Sequence, residues 1–577
     1  MAATFLAYWP ARRNGFVWDD TALVLRDPLI RSWRLIAESF GHFLFIDATA
    51  SDFYRPLQRL TFMADYAAWG FQPAGYHLTS IAMHIAAAVA LFFLMEKLLA
   101  PEKRRDCAVA VALLWAIHPL HTSAVTYVAG RADPLAAVFG FSALLFGLVS
   151  LERGRRARWA AVGAVMCFFA ALLSKESGVV ALMIWFLLLI WRRESWRLIG
   201  KWGLAAAAVL VGYGALRLSA EHIPAPRGEP PSLAVRPILA ARAVAEYAGL
   251  LAAPVTLRME RDVTTRPAGD PAATLRNARW REYQTLLGVV LVTGVVAWWA
   301  WARKRVPIAS MGLLAALLAY LPVSNLFPLN ATVAEHWLYV PSAFLLLAAV
   351  TSLHELASGS RLALTAAATC GILWGACLGV RTWQRQADWR DQRTFLTRTI
   401  EAGGDTARMR VNLGHLESTE GRDHVAHEQF TLALQRAPED PFALLGMAAV
   451  CVRLGRFEEA RTFLAKAERN SVIVAECRQL WAALEFREHG TDTTHFLRQA
   501  AEHAPNNWPL RQRYIKALDE RGQTAGAVRE LRAFLERQAF RADSWRMLSR
   551  LLEKQGDREH AAAAAAQAAL LDVHLGR

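Results

Sequence analysis

Cysteine is scarce in this sequence. The chain has six of them: Cys107, Cys167, Cys370, Cys377, Cys451 and Cys477. They are scattered without metal-ligand spacing, and four fall within apolar runs, whereas disulfide frameworks and zinc sites show up as compact, paired spacings. We therefore expect no disulfide framework and no zinc site.

Acidic residues are fewer than basic ones. The chain has 50 Asp and Glu and 65 Lys and Arg, which gives a net charge of +15. The basic residues lack aromatic interleaving and any known nucleic-acid-binding motif, so we expect no nucleic-acid partner. Most of them form short clusters between apolar runs. That distribution is typical of residues that orient a membrane protein.

Charge is almost missing from the long apolar runs between Leu78 and Arg381, and 54% of the whole chain is hydrophobic. A membrane-spanning helix needs about 20 mostly apolar residues. Ten runs approach that length, near 78–99, 107–118, 134–151, 158–174, 178–191, 202–218, 284–302, 308–326, 338–353 and 362–380. The sequence after Thr382 is charged and amphipathic, so we predict an all-α chain with a polytopic membrane domain and a soluble region.

Basic clusters recur on every second loop of this membrane region. They are Lys103-Arg104-Arg105, Arg153 to Arg158, Arg192 to Lys201 and Arg303-Lys304-Arg305. Since short cytoplasmic loops collect Lys and Arg, the other loops and the soluble region are predicted to face outward. The apolar segment 236–254 carries Arg242 and Glu246, and we expect it to lie in the outer membrane interface. An excess of Arg over Lys and abundant Ala favour a bacterial inner membrane, with the soluble region periplasmic.

Glycines recur with a period near 34 residues in the soluble region, at Gly421, Gly455, Gly490, Gly522 and Gly556. Five residues after each stands Ala426, Ala460, His495, Ala527 and Ala561, a small residue in four of five cases. This is the period of tetratricopeptide repeats, whose helical hairpins stack into a solenoid that binds extended peptides. We predict an N-terminal outer loop over 1–77, a membrane domain over 78–381, a linker over 382–404 and a tetratricopeptide array over 405–577.

Six polar motifs stand next to the apolar runs. They are NGFVWDD (Asn14 to Asp20), YRPL (Tyr54 to Leu57), GYHLTSIAMH (Gly75 to His84), HPLHTSAVTYVAGRAD (His118 to Asp133), SKESG (Ser174 to Gly178) and AEHWLYVPS (Ala334 to Ser342). In this order they resemble the transmembrane and tetratricopeptide-repeat protein O-mannosyltransferases and their bacterial relatives. The resemblance covers nearly the whole chain.

The resemblance implies a GT-C class membrane fold and an inverting transfer. The implied sugar donor is a polyprenyl phosphate that usually carries mannose, and it is a substrate, so no cofactor is expected. The implied acceptor is a Ser or Thr hydroxyl of a protein, recruited by the array. Two departures stand out: the family has a spanning helix before NGFVWDD, so we expect a further segment upstream of MAATFLAYWP, and it commonly has Arg where this chain has His336.

Asp19 and Asp20 occupy the place of the carboxylate that acts as general base in this class. A hydroxyl is a poor nucleophile at neutral pH, and a positioned base speeds such reactions by about 10² to 10⁴. Which of the two is the base stays open. From the dipeptide alone, the alternative is a helix N-cap followed by a first-turn acid.

The departing phosphate needs cations, and the candidates are Arg55, Arg131, Lys175 and His336. The alternative for each is a structural ion pair between helices, above all for Lys175 and Glu176. The other motif residues expected to support the site are His77, His118, Glu176, Glu335 and Tyr339. His118 and His121 stand three apart, but Pro119 separates them and no third ligand is evident, so no obligate metal is expected.

Two other functions compete with the enzyme. One is a catalytically inactive, membrane-anchored tetratricopeptide scaffold. The other is a transporter of lipid-linked sugars, which would need polar residues in the middle of many spans, whereas most runs here are purely apolar.

Overall fold

The computed structural model describes residues 1–47, 51–101, 104–221, 232–264, 271–327, 329 and 331–572. Regular structure in these residues is almost all helical, and their one sheet is an antiparallel pair of two-residue strands, Glu260–Arg261 and Val333–Ala334. The all-α fold predicted from the sequence is confirmed. The chain forms two compact units, which are described separately below.

The first unit comprises Met1–Val17, Pro73–Leu218 and Arg227–Asp391. Its main α-helices are Ala2–Tyr8, Pro73–Leu98, Arg104–Ala116, Ala132–Ser150, Arg155–Ser174, Val179–Trp191, Trp196–Ser219, Arg236–Ala252, Pro271–Arg305, Pro307–Tyr320, Tyr339–Ala357 and Arg361–Arg385. The helix Arg236–Ala252 falls on the segment predicted for the membrane interface. Of the basic clusters, Lys103 lies outside the described residues.

Seven helices in the described residues are long and apolar enough to cross a membrane, or up to eight if a bent pair counts as one span. Three of the ten predicted runs differ from a straight full-length span. The run near 107–118 is one limb of the pair Arg105–Ala116 and Pro119–Val125, which bends by 48°. The break falls at Pro119, which has no backbone N–H to donate to a continuing helix. The other two runs form the shorter apolar helices Glu176–Trp191 and Pro307–Val323.

Two of the long helices present most of their apolar surface to the outside of the unit. Only 11% of the apolar window is buried in Arg276–Arg305 and in Arg361–Trp389, against 67% in Ala129–Ser150. Val290 and Ile372 are 65% and 71% exposed. Apolar surface on this scale needs a lipid environment. The chain is an integral membrane protein.

The second unit comprises Trp18–Gln72, Ser219–Pro226 and Gln392–Arg577. After the helices Ile36–Gly41, Pro56–Trp69 and Gln392–Glu401, it contains five helical hairpins: Ala407–Thr419 with Asp423–Arg436, Pro441–Arg453 with Phe457–Ala467, Val474–His489 with Thr494–His503, Trp508–Glu520 with Thr524–Leu535, and Ala542–Lys554 with Arg558–Leu571. The predicted tetratricopeptide hairpins are confirmed.

The five periodic glycines lie in the turns of these hairpins, each with a positive φ between 65° and 84°. Glycine adopts this left-handed conformation without the steric cost that a Cβ atom imposes. Ala426, Ala460, Ala527 and Ala561 are buried, whereas His495 is exposed. In the second helix of the third repeat, the buried alanines are Ala500 and Ala501.

The predicted N-terminal loop 1–77 does not form one structural segment. Residues up to Val17 belong to the first unit, and Trp18–Gln72 packs with the tetratricopeptide array in the second. Near the end of the array, the Tyr66 hydroxyl donates to Asp572 at 2.9 Å, and Arg541 forms an ion pair with Asp47. The predicted linker 382–404 is also largely helical, because helix Arg361–Arg385 enters it and Gln392–Glu401 fills its second half.

Arg59 organises the segment Trp18–Gln72 from within. Its side chain is 1% exposed, and its Nε donates to Asp27 Oδ2 at 2.9 Å. Its two Nη atoms donate to the carbonyls of Ser39 at 3.2 Å, His42 at 3.1 Å and Phe43 at 2.7 Å. One guanidinium thus ties the helix Pro56–Trp69 to the loop before it.

We expect Arg59→Ala to loosen this segment, because it leaves the Asp27 carboxylate buried without its cation, a change that costs about 3–5 kcal/mol. The measurement is limited proteolysis of the purified full chain, scoring cleavage within residues 18–72. The matched control is Arg34→Ala, which removes an exposed arginine of the same segment. Equal cleavage of the two variants would contradict the structural role of Arg59.

Candidate functional site

Asp19 and Asp20 lie in the second unit, on a turn that begins with Trp18 at a φ of 54°. The Asp19 carbonyl accepts the N–H groups of Ala22 at 3.0 Å and Leu23 at 2.9 Å. Asp20 directly precedes the one-turn helix Thr21–Leu25, yet its side chain makes no capping hydrogen bond. Its side chain is fully buried, and Asp19 is half-buried. Asp20 therefore does not cap the helix Thr21–Leu25 through its side chain.

Trp18 anchors this turn to the start of the array. Its N–H donates to Gln392 Oε1 at 2.6 Å, and its ring meets Phe395 edge-on at a centroid distance of 5.5 Å. The Arg408 guanidinium stands 5.1 Å over the same ring. The helix Gln392–Glu401 and the first helix of the array thus hold the backbone that carries the aspartate pair.

Arg55 also belongs to the second unit. It directly precedes the helix Pro56–Trp69, and its guanidinium lies 4.5 Å over the ring of Phe53. The side chain is half-buried. Its predicted role in phosphate binding stays a prediction.

Arg131 lies in the first unit and is fully buried. Its Nη2 donates to the Tyr76 carbonyl at 2.7 Å and its Nε to Ser80 Oγ at 3.2 Å. These bonds join the fourth motif to the third. They give Arg131 a structural role, because they occupy guanidinium donors that a phosphate would need.

Lys175 and Glu176, which the sequence suggested as a pair, bind different partners. Lys175 Nζ lies 2.6 Å from Asp133 Oδ1, whereas Glu176 lies 3.7 Å from Arg217 Nη1. Lys175 has an extended backbone with a φ of −159°, between two helical segments. The side chains of Lys175 and Glu176 therefore leave the chain in different directions, and each forms an ion pair with another helix.

His118 is a structural histidine. Its Nε2 bonds the Leu251 carbonyl at 3.0 Å, and its Nδ1 accepts the Leu120 N–H at 3.2 Å. Because Nδ1 accepts, Nε2 is the protonated donor, and neither nitrogen is left for a metal. His77 is also buried, and backbone groups of Asn14, Gly15 and Thr126 lie close to its ring.

Tyr339 and Glu335 belong to the motif AEHWLYVPS, and both are buried. The Tyr339 hydroxyl lies 2.5 Å from His84 Nδ1, so Tyr339 joins two helices. Glu335 Oε1 accepts the Arg258 backbone N–H at 2.5 Å, and Oε2 lies 3.6 Å from Arg385 Nη2. His336 is half-buried, with its ring 6.1 Å from that of Trp337.

Four arginines lie around Glu335, and none was singled out from the sequence. This arginine cluster consists of Arg258, Arg261, Arg381 and Arg385. Arg385 is 3% exposed and Arg261 is 7% exposed. Arg381 Nη2 donates to the Val255 carbonyl at 3.0 Å, and this bond ties the helix end to the loop near Arg258. One sequence signal was available: Arg381 and Arg385 are four apart and share a helix face.

Positive charge exceeds negative charge within the arginine cluster. Its acidic partners are Glu335, Glu246 at 3.4 Å from Arg261, and Asp388 at 2.7 Å from Arg385. Burial, followed by the neighbouring charge of Arg261, lowers the pKa of Arg258 to about 10. Among the described residues, the buried Nε atoms of Arg261 and Arg385 have no hydrogen-bond acceptor, and Glu335 Oε2 has no hydrogen-bond donor. A phosphate would supply both charge and acceptors, since guanidinium groups bind phosphate oxygens in pairs.

The fold and these sites define a helical membrane protein with a tetratricopeptide array. No family model matches the chain. It is 25% identical over 497 residues to the human "Protein O-mannosyl-transferase TMTC3", covering 78% of this chain and 52% of that protein. It is 33% identical over 189 residues to the Drosophila melanogaster "Protein O-mannosyl-transferase Tmtc1", covering 32% of this chain and 21% of that protein.

The resemblance inferred from the motifs is therefore confirmed, and the chain spans about half the length of the first of these relatives. Among solved structures, it is similar to "YrrB: a TPR protein with an unusual peptide-binding site", with 20% identity and a TM-score of 0.21 over 31% of this chain and 97% of that chain.

If Lys175 is structural, Lys175→Met and Asp133→Leu should each lower thermal stability, and the double variant should recover part of the loss. The reason is that each single change leaves one charge buried, and coupled partners typically interact by about 0.5–3 kcal/mol. The melting temperature of purified protein in lipid measures this. The control is Glu176→Gln, whose pair with Arg217 is about one-third exposed and is worth about 0–1 kcal/mol. Additive losses in the double variant would contradict the pair.

Proposed function

We propose that this chain is a membrane glycosyltransferase that moves a sugar, mannose by analogy with its relatives, from a polyprenyl phosphate to Ser or Thr hydroxyls of proteins. The observation that carries the proposal is the arginine cluster around Glu335, which we assign to the donor phosphate. The names of the relatives support the class of reaction. The transfer takes place on the outer side of the membrane, which we take to be a bacterial inner membrane.

The arginine cluster suits a lipid-linked phosphate because of the helix that carries two of its members. Arg381 and Arg385 lie in the last turns of the helix Arg361–Arg385, whose apolar surface is largely exposed. A polyprenyl chain lying along exposed residues such as Ile372 and Val380 has its phosphate at the level of these arginines. Guanidinium groups there stabilise the charge that develops on the phosphate as it departs.

The chemistry assigned to the aspartate pair is proton removal. The acceptor oxygen attacks the anomeric carbon, the bond from that carbon to the phosphate oxygen breaks, and the hydroxyl proton passes to Asp19 or Asp20. Attack opposite the departing phosphate inverts the anomeric configuration. The candidates for this base are Asp20, whose side chain is fully buried, and the half-buried Asp19.

The tetratricopeptide array, facing the periplasm, presents the protein acceptor in this proposal, since such arrays bind extended peptides on their concave face. Arg55, Arg131, Lys175 and His336 stay predictions as phosphate ligands. The existing bonds of Arg131 and Lys175 make those two weaker candidates than the arginine cluster.

We expect Arg385→Met to raise the KM for the donor by about tenfold or more, because a charge-assisted bond is worth about 1.5–3 kcal/mol. Arg385→Lys should rescue this only in part, since Lys cannot bind phosphate with two parallel bonds. The assay is glycosylation of a Ser/Thr peptide by the purified chain in lipid, with polyprenyl-phosphate mannose. The control is Arg390→Met, whose side chain is 68% exposed. A donor KM equal to that of the control would remove the arginine cluster from the proposal.

In the same assay, Asp19→Asn or Asp20→Asn should reduce turnover by about 10² or more, because Asn keeps the shape but cannot take the proton. A capping role predicts little change, since Asn caps a helix about as well as Asp. Glu38→Gln, an exposed carboxylate of the same segment, is the control. Full activity of the double variant would refute the base. A wild-type chain that is inactive with several lipid-linked sugars would favour the alternative, an inactive membrane-anchored scaffold.

A further inference from the structure

We propose that the tetratricopeptide array binds a divalent transition metal, Zn²⁺ by the chemistry of its ligands, through His427, Cys451 and Glu459. The ligand atoms of these three side chains all lie within 4.8 Å of one another. They form the one such group of three found among the described residues. This metal site does not depend on the donor and acceptor chemistry proposed above.

Three successive helices supply one ligand each. His427 lies on Asp423–Arg436, Cys451 on Pro441–Arg453 and Glu459 on Phe457–Ala467. The first of these helices belongs to the first hairpin, and the other two form the second hairpin. A bound metal would therefore tie two adjacent repeats together, in a fold where each repeat is stabilised mainly by its neighbours.

The ligand types match zinc chemistry. Zn²⁺ takes thiolate sulfur at about 2.3 Å, imidazole nitrogen at about 2.0–2.1 Å and carboxylate oxygen at about 2.0–2.2 Å, usually in tetrahedral geometry. Three protein ligands leave a fourth position for water. As the Zn–S bond forms, the Cys451 thiol gives up its proton to solvent, so binding releases a proton.

The three ligand residues differ in burial, so one ligand is fixed in the core and another is open to solvent. Cys451 is fully buried in a core cluster with Ala426 and Phe430, His427 is half-buried and Glu459 is exposed. An ion can therefore enter from the Glu459 side. Arg456 Nη1 lies 3.9 Å from Glu459 Oε2, and both side chains are about half exposed. A metal displaces only this weak surface pair.

The test uses the purified full chain, stripped with a chelator and dialysed against Zn²⁺. We expect one Zn²⁺ per chain by elemental analysis, and a rise in melting temperature on adding Zn²⁺. Cys451→Ala, His427→Ala and Glu459→Gln should each weaken Zn²⁺ affinity by about tenfold or more in competition with a chromophoric chelator, since even changes beside metal ligands cost 10–100-fold. Co²⁺ in place of Zn²⁺ should give a thiolate charge-transfer band that Cys451→Ala abolishes.

The chain offers a matched control for each ligand. Cys477 is another buried cysteine of the array, His424 is an exposed histidine of the same helix as His427, and Glu458 directly precedes Glu459. Cys477→Ala, His424→Ala and Glu458→Gln should keep full affinity. Two outcomes would overturn the site: no stoichiometric Zn²⁺, or Zn²⁺ that all three ligand variants retain as an adventitious ion only. His427→Ala and Glu459→Gln alter residues outside the fully buried core, so they remain informative if Cys451→Ala fails to fold.

Discussion

The buried carboxylate of Glu335 is the group around which a loop, the short sheet and the end of the helix Arg361–Arg385 are packed in the first unit. A charge removed from water costs several kcal/mol unless it is paired and hydrogen-bonded. Glu335 Oε1 accepts the Arg258 backbone N–H, and Oε2 lies 3.6 Å from Arg385 Nη2 but has no hydrogen-bond partner among the described residues. Arg381 then bonds the carbonyls of Pro254 and Val255. A loop, a short sheet and the end of a long apolar helix are thereby held around one carboxylate, and the arginines gathered to neutralise it exceed what it needs.

Trp18 has a comparable place in the second unit. The aspartates that follow it belong to a motif near the start of the chain, yet they are held by Gln392, Phe395 and Arg408 at the start of the array. At the other end of the array, Asp47 and Tyr66 of the same segment contact Arg541 and Asp572. The array is therefore a structural support for the segment that carries the proposed base, in addition to any role in holding an acceptor.

Charged residues beside apolar helices admit two interpretations, because phosphate binding and structural pairing use the same chemistry. Arg131 and Lys175 illustrate the structural case, since their donors already bind Tyr76, Ser80 and Asp133. We propose that the arginine cluster is the other case. Among the described residues, the Nε atoms of Arg261 and Arg385 have no acceptor, and the four arginines outnumber their three acidic partners. A bound phosphate would supply acceptors for these two nitrogens.

The sequence by itself determined the features that depend on local pattern. The apolar runs indicated the membrane helices, and the glycine period indicated the hairpins. Both patterns are local, because the hydrophobicity of a run and the conformation of a glycine affect only the segment of chain that contains them. Tertiary structure alone decided the division after Val17, the partners of Lys175, the arginine cluster and the meeting of His427, Cys451 and Glu459. The last three of these join residues on different elements, from 8 to 127 positions apart. These residues come into contact only because helices that are distant in the sequence pack against one another. The spacing of residues along the chain therefore does not predict the contacts.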